Sequence, residues 1–264
     1  MVTNNDTNSN ISDQIEKDMC IVFRIVGVCL GIPKQTFKWN YRSNSNESIF
    51  YDKITPLEFY NIMVKPIFHL EDKVSLISDP RAGNEFGRLY TVDWVGNVIE
   101  GSKIACNNQP IEVLLEACKQ SIAILDEPVW YSCAVEQRFS NELGFEDLKI
   151  HNIESIFGTD TSIPMTKSER ILYHDSYPMH AMVLTGFHEE NNEVTRWCVE
   201  NSWGKHSNMN TNGYLVMTTE WFKEYVFEVI VDKKLLPKNV LDVFNQEPII
   251  LPVWDILGSH LLVN

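Results

Sequence analysis

The stretch MHAMVLTGFHEENNEVTRWCVENSWG, residues 179 to 204, decides how the rest of this chain is read. Two runs rich in β-branched and aromatic residues, His180 to His188 and Val194 to Asn201, flank Glu189, Glu190, Asn191 and Asn192, a cluster of polar turn formers. The stretch therefore reads as a β-hairpin. Centring its turn between Glu190 and Asn191 sets His180 directly opposite Asn201. Directly opposed residues of an antiparallel pair hold their Cβ atoms about 4.5 to 5.5 Å apart, within reach of a hydrogen bond from an imidazole nitrogen to an amide oxygen. A ring held this way presents its other nitrogen outward, as a general base or, once protonated, as the charged partner of a thiolate. Trp203, two residues past Asn201, is placed to cover that bond and keep water from competing for it.

On spacing alone the plainer reading is favoured: a satisfied polar pair at the end of a sheet. A metal reading is weaker. His174, His180, His188, His206 and Cys198 share one region, yet no two have a spacing such as C-x-x-C or H-x-x-x-H, so no metal is expected. Cys198 is an odd number of residues from Asn201, points to the opposite strand face, and is expected in the core. Asn212, before Gly213, reads as a turn former.

Outward from the hairpin, the run Gly213 to Met217 leads to Thr218, Thr219, Glu220 and Trp221, a capped short helix, and then to a strand over Tyr225 to Val231. Upstream, residues 136–178 show no strong periodicity. Pro128 to Val135 reads as a buried strand, Pro110 to Leu125 as a helix, and Val74 to Ile77 and Leu89 to Trp94 as strands. Thr55-Pro56-Leu57-Glu58 has the cap, the proline and the acid of a reciprocal helix start, with a helix expected to about Val64. Ile15, Met19, Val22, Val26, Cys29 and Leu30 mark the apolar face of a helix ended by Gly31, Ile32 and Pro33, with Cys29 expected as a packing thiol. Residues 1–17 read as a disordered leader without a signal peptide, 18–135 as a helix-rich part and 136–264 as a sheet-rich part, which together make an α+β fold.

Composition bounds the function. The chain has 264 residues, enough for one large domain or two small ones, and 36 acidic against 22 basic side chains give a net charge of −14. A phosphate backbone would repel it, so nucleic acid is not an expected partner. The most apolar run, Met19 to Ile32, contains Arg24 and two glycines, so no membrane partner is expected either. Six cysteines without paired spacing suit a reducing compartment, and the cytoplasm is the expected location.

The segments Met179-His180-Ala181-Met182 and Glu200-Asn201-Ser202-Trp203-Gly204 resemble the histidine and asparagine strands of papain-like cysteine peptidases, the second being found there as N-S-W-G. Glu247-Pro248-Ile249-Ile250-Leu251-Pro252-Val253-Trp254-Asp255 resembles the closing segment of the bleomycin hydrolase family, as do Trp221-Phe222, Asn107-Asn108-Gln109-Pro110-Ile111, Leu89-Tyr90-Thr91-Val92 and Thr55-Pro56-Leu57-Glu58-Phe59-Tyr60. The likeness runs from about Asp18 to Ser259. It implies a papain-like α+β fold and a cytosolic thiol aminopeptidase without a cofactor. It further implies a homo-oligomer, a hexameric ring with its sites facing an inner chamber, acting on peptides or small amides with a free N-terminal amine. In that family His180 would be the catalytic imidazole, Asn201 its orienter and Trp203 its support.

The family's nucleophilic cysteine stands at a helix start, followed by Trp and preceded by an oxyanion-binding Gln. This sequence has no such segment and is expected to begin downstream of it. Cys29, in Gly27-Val28-Cys29-Leu30-Gly31, lies late in its helix without that Gln, and Cys20, Cys106, Cys118 and Cys133 have no recognisable base beside them. The fold is thus expected to be incomplete and the isolated chain inactive. The alternatives are a non-catalytic assembly or binding module of the same family, or a structural domain in which the His–Asn pair is incidental. The family's tail brings its terminal carboxylate to the substrate amine. Here the chain runs past Gly258 through Leu261, Leu262 and Val263 to Asn264, a longer tail that fits this role poorly. Without the catalytic helix, an apolar face is expected to be exposed, with poor solubility or dependence on a partner.

Overall fold

A computed structural model describes residues 5–95, 104–159, 165–204 and 212–258, with side chains from residue 10. The contacts divide the chain into two units, Met1–Leu70 and Glu71–Asn264. The division falls after Leu70 and not at residue 135, because the strands of the larger sheet begin at Lys73.

In the first unit, α1 (Asn5–Leu30) starts inside the stretch read as a leader. Once a helix is nucleated, each added residue gains a hydrogen bond, so the polar residues ahead of Ile11 are carried along. Gly31, at φ +83°, ends it by donating to the Gly27 carbonyl at 3.1 Å. The expected apolar stripe is present, but Ile15, Met19, Val22 and Val26 are all exposed. Cys29, expected as a packing thiol, is an exposed one for the same reason. A hairpin that the sequence reading did not single out follows, β1 (Phe37–Arg42) and β2 (Ser48–Ile54). Then α2 (Pro56–Phe59) opens on the expected reciprocal cap: Glu58 N–H donates to the Thr55 hydroxyl at 3.2 Å, and Thr55 N–H donates to the Glu58 carboxylate at 2.8 Å. A π-turn over Tyr60–Val64 completes it.

The second unit runs β3 (Lys73–Ile77), β4 (Arg88–Val92), β5 (Cys106–Asn108), α3 (Ile111–Leu125), β6 (Val129–Cys133), β7 (Phe139–Ser140), β8 (Phe145–Glu146), α4 (Ile153–Phe157), α5 (Lys167–Leu172), β9 (His180–Glu190), β10 (Glu193–Glu200), β11 (Tyr214–Thr218), α6 (Thr219–Tyr225), β12 (Val226–Asp232), α7 (Lys238–Leu241) and β13 (Ile249–Leu251). Its strands form one sheet in the order β13-β4-β5-β3-β12-β6-β9-β10-β11-β8-β7. Four of these strands, β3 to β6, come from the part read as helix-rich. Three of them, β3, β4 and β6, fall on the runs read as strands, and only β5, three residues long, has no counterpart in that reading.

α3 lays Leu114, Ala117 and Cys118 into the core formed with Tyr131 and Cys133 of β6 and Leu184 of β9. On β10, Trp197 and Val199 are buried while Arg196, Cys198 and Glu200 are exposed. Alternation therefore does put Cys198 on the face opposite Asn201, but that face is solvent. Asn201 shares the buried side with the tryptophan.

Candidate active site

His180 is the first residue of β9, and Asn201 follows the last residue of β10. The hairpin between them forms, but its turn is centred one residue later than the sequence suggests. Glu190 pairs with Glu193, and Asn191 and Asn192 make the turn at φ +54° and +66°. Asparagine tolerates this left-handed backbone and glutamate does not, so the turn settles on the two asparagines. Two irregularities, at Thr195 on β10 and Thr185 on β9, shift the register and then restore it. At the end of the ladder Glu200 faces Val183, so Asn201 comes level with Met182 and His180 lies two residues further along the same face.

The pair is therefore diagonal rather than directly opposed. Diagonal neighbours start about 7 to 8 Å apart and meet only through long side chains. They do meet: His180 Nε2 lies 3.0 Å from Asn201 Oδ1. An amide oxygen only accepts, so the proton of this bond sits on Nε2, and the neutral ring keeps Nδ1 as its basic nitrogen.

Each partner is fixed by the sheet. Asn201 is 4% exposed, and its backbone N–H donates to the Gly213 carbonyl at 2.8 Å. Gly213 has φ +95°, and a Cβ there would stand 3.4 Å from Gly204 Cα and 3.5 Å from Asn201 O. A Cβ would meet these atoms at ordinary van der Waals distance, so it is the backbone angle that glycine supplies where the 212–213 turn closes on Asn201. His180 stands opposite Cys133 of β6, and Met179 N–H donates to the Cys133 carbonyl at 3.1 Å. The Trp203 ring lies 5.2 Å from the imidazole at 34°, with Phe139 of β7 behind it at 6.4 Å. Trp203 remains 40% exposed, so it flanks the His–Asn bond on one side rather than sealing it.

The ladder brings a thiol next to the imidazole that sequence reasoning missed. Cys133 had no base assigned to it, yet it is the register partner of His180. It is nevertheless no nucleophile. Its side chain is fully buried, and burial pushes the thiol well above its ordinary range. Burial likewise pushes up Cys106 and Cys118. Among the described residues no group of His, Cys, Asp and Glu is arranged to hold a metal, and none of the helices is long and apolar enough to cross a membrane. His206 and the tail from Ser259 to Asn264 lie outside the described residues.

Residues 1–258 match the model of the Peptidase C1-like family. The chain is 47% identical to the bleomycin hydrolase of Gallus gallus over 241 residues, covering 90% of this chain and 52% of that protein. Against the bleomycin hydrolase of Homo sapiens it is 42% identical over 262 residues, covering 98% of this chain and 57% of the relative. Aminopeptidase C of Listeria innocua is 39% identical over 247 residues, covering 94% and 54%. The crystal structure of PepW from Lactobacillus rhamnosis matches with a TM-score of 0.85 at 32% identity, covering 97% of this chain and 56% of that one. The chain thus spans about half the length of the curated relatives it matches.

Proposed function

The chain belongs to the Peptidase C1-like family, with a papain-like α+β fold, and from that premise we propose that it is the histidine- and asparagine-bearing part of a cysteine-type aminopeptidase acting on peptides or small amides with a free N-terminal amine. The reading rests on the 3.0 Å contact from His180 Nε2 to Asn201 Oδ1, which aims the ring and leaves Nδ1 to move a proton. The relatives named bleomycin hydrolase and aminopeptidase C support the substrate class.

In this mechanism a cysteine thiol gives its proton to His180 Nδ1, and the thiolate bonds to the scissile carbonyl carbon. The imidazolium then protonates the leaving amine as the C–N bond breaks. Water attacks the resulting thioester, its proton passing to Nδ1, and the C–S bond breaks to return the thiolate, which recovers the proton. Asn201 holds the ring in one orientation through both transfers, and Trp203 shields one side of that bond.

The thiol in this reading comes from polypeptide beyond these 264 residues. Cys106, Cys118 and Cys133 are buried with thiols pushed up, and Cys198 lies on the strand face away from Asn201. Cys29 is exposed in the last turn of α1, and Cys20 is exposed in that helix's interior, so neither stands at a helix start. Family likeness supports a homo-oligomer, a hexameric ring, and a cytoplasmic setting suits six free thiols. The same lack of a thiolate candidate favours a second reading, a non-catalytic assembly module.

The test is hydrolysis of an aminoacyl fluorogenic amide by the purified chain, alone and combined with the part of a bleomycin hydrolase relative that this chain does not match. No turnover alone and turnover on combination are expected, lost on alkylation of the added part and in His180→Ala. Asn201→Ala should lower the rate about 10- to 100-fold, the worth of one hydrogen bond to a charged ring. Turnover by the chain alone that alkylation abolishes would place the nucleophile inside it and overturn the reading. A stable combination without turnover would favour the assembly module.

A further inference from the structure

Glu146, in the two-residue strand β8, is 0% exposed, and neither carboxylate oxygen has a hydrogen-bond partner. Among the described residues no ion pair reaches it, and burial alone holds its carboxyl well above the usual carboxylate range. The titratable groups that feel it are Tyr131 and Cys133 on β6, themselves fully buried and uncharged, with Cys118 on α3 next in line through Tyr131. A carboxylate in such surroundings carries a desolvation penalty with no hydrogen bond or ion pair among the described residues to offset it.

The ribbon that carries Glu146 lies at one edge of the sheet. β7 and β8 have two residues each and end the strand order beyond β11. Besides the β8–β11 and β7–β8 ladders, the ribbon is held by Val216 N–H to the Gly144 carbonyl at 2.9 Å, the Thr218 hydroxyl to the Glu146 carbonyl at 3.4 Å, Asp147 N–H to the Arg138 carbonyl at 3.2 Å and, just before β7, Trp221 Nε1–H to the Gln137 carbonyl at 2.7 Å. Phe139, the ladder partner of Glu146, is the ring that stands behind Trp203.

We infer that Glu146 folds into the core as an uncharged carboxylic acid, and that loss of its proton frees the β7–β8 ribbon, making it a pH-sensitive latch behind Trp203. The O–H bond breaks and the proton goes to solvent base. The carboxylate then reaches water most cheaply by local release of its own short ribbon rather than by opening the whole core. The Tyr131 hydroxyl, also without a partner, is a single donor and does not replace the hydration of a carboxylate. Because the released form ionises as an ordinary carboxyl while the closed form stays protonated, the population of the released form rises tenfold per pH unit.

The experiment reads this directly on the full chain and is independent of whether His180 takes part in catalysis. In the infrared spectrum at pH 7, wild type should show the carbonyl stretch of a protonated carboxyl, absent from Glu146→Gln and Glu146→Met. Amide hydrogen exchange over residues 139–146 should steepen with pH about tenfold more per unit in wild type than in either variant. An ionised carboxyl at pH 7, or exchange of equal pH slope in wild type and variants, overturns the proposal. Should neither variant fold, the band in wild type at pH 7 decides alone, its absence refuting the inference.

Discussion

Lys167 sits at the first position of α5 with its ammonium inside the protein, donating to the carbonyls of Val226 at 2.5 Å and Lys223 at 3.3 Å and standing 5.1 Å from the centre of the Phe227 ring. Desolvation is the dominant influence and lowers its pKa from 10.5 to about 7. The sign follows from proton counting. Between about 7 and 10.5 the unfolded chain holds a proton on this lysine that the folded chain has lost, so folding stability rises with pH across that window. At about 1.36 kcal/mol per unit, the gain over the full window is about 4 to 5 kcal/mol. Lys167→Met removes the titration and also the two carbonyl hydrogen bonds. The absolute difference at one pH therefore mixes two effects, while the slope isolates one. Urea unfolding of wild type and Lys167→Met from pH 6 to 10 should show wild-type stability climbing relative to the variant above pH 7. A constant difference across that range would refute the argument.

Arg81 donates to Asp79 at 2.7 Å and to Asp255 at 2.9 Å, and these carboxylates outweigh desolvation to raise its pKa. Arg81→Met leaves two largely buried carboxylates facing each other and should destabilise the protein by about 3 kcal/mol, near the low end for a broken buried pair because Arg81 keeps some exposure; a shifted urea midpoint measures it. Gly213→Ala puts a side chain on a backbone at φ +95°, beside Asn201, and that backbone strain should destabilise the protein by about 1 to 3 kcal/mol. Crystal structures of that variant should show a longer His180–Asn201 contact.

What the sequence made legible divides along a physical line. Local chemistry could be read: Thr55-Pro56-Leu57-Glu58 caps a helix wherever it stands, and Ile111 to Leu125 repeats at helical spacing whatever it packs against. The hairpin between His180 and Asn201 was equally local, since polar turn formers interrupt two strand-like runs. Its register was legible in principle, because Asn191-Asn192 is a stronger turn signal than Glu190-Asn191. The alternation of Phe37, Trp39 and Tyr41 before Ser43 to Asn46 is a local signal for β1 and β2. Burial is a different matter, because it depends on what covers a face. The stripe of α1 has the pattern of a core helix and is exposed, and Cys198 has correct strand parity yet faces solvent. Nothing local in Phe145-Glu146 announces a carboxyl sealed in the core. The His–Asn contact formed although the register differed, because a two-residue offset keeps both side chains on one strand face and an imidazole spans the diagonal. A one-residue offset would have put them on opposite faces.

Glu146 and Lys167, both buried, act on stability with opposite signs, and their sum has a distinctive shape. Glu146 is raised in the fold, so from its ordinary value of 4.5 upward the folded chain holds a proton the unfolded chain lacks, and stability falls with pH. Lys167 contributes no slope until about 7, above which it contributes the opposite one. Relative to a Glu146→Gln, Lys167→Met double variant, wild type should therefore lose stability as the pH rises from 4.5, at about 1.36 kcal/mol per unit for as long as Glu146 stays protonated in the folded chain. Above pH 7 the two slopes cancel and the difference should become flat for as long as Glu146 stays protonated in the folded chain. The shape separates the two claims. A decline that continues unchanged above pH 7 removes Lys167 from the account, and a flat line below pH 7 removes Glu146.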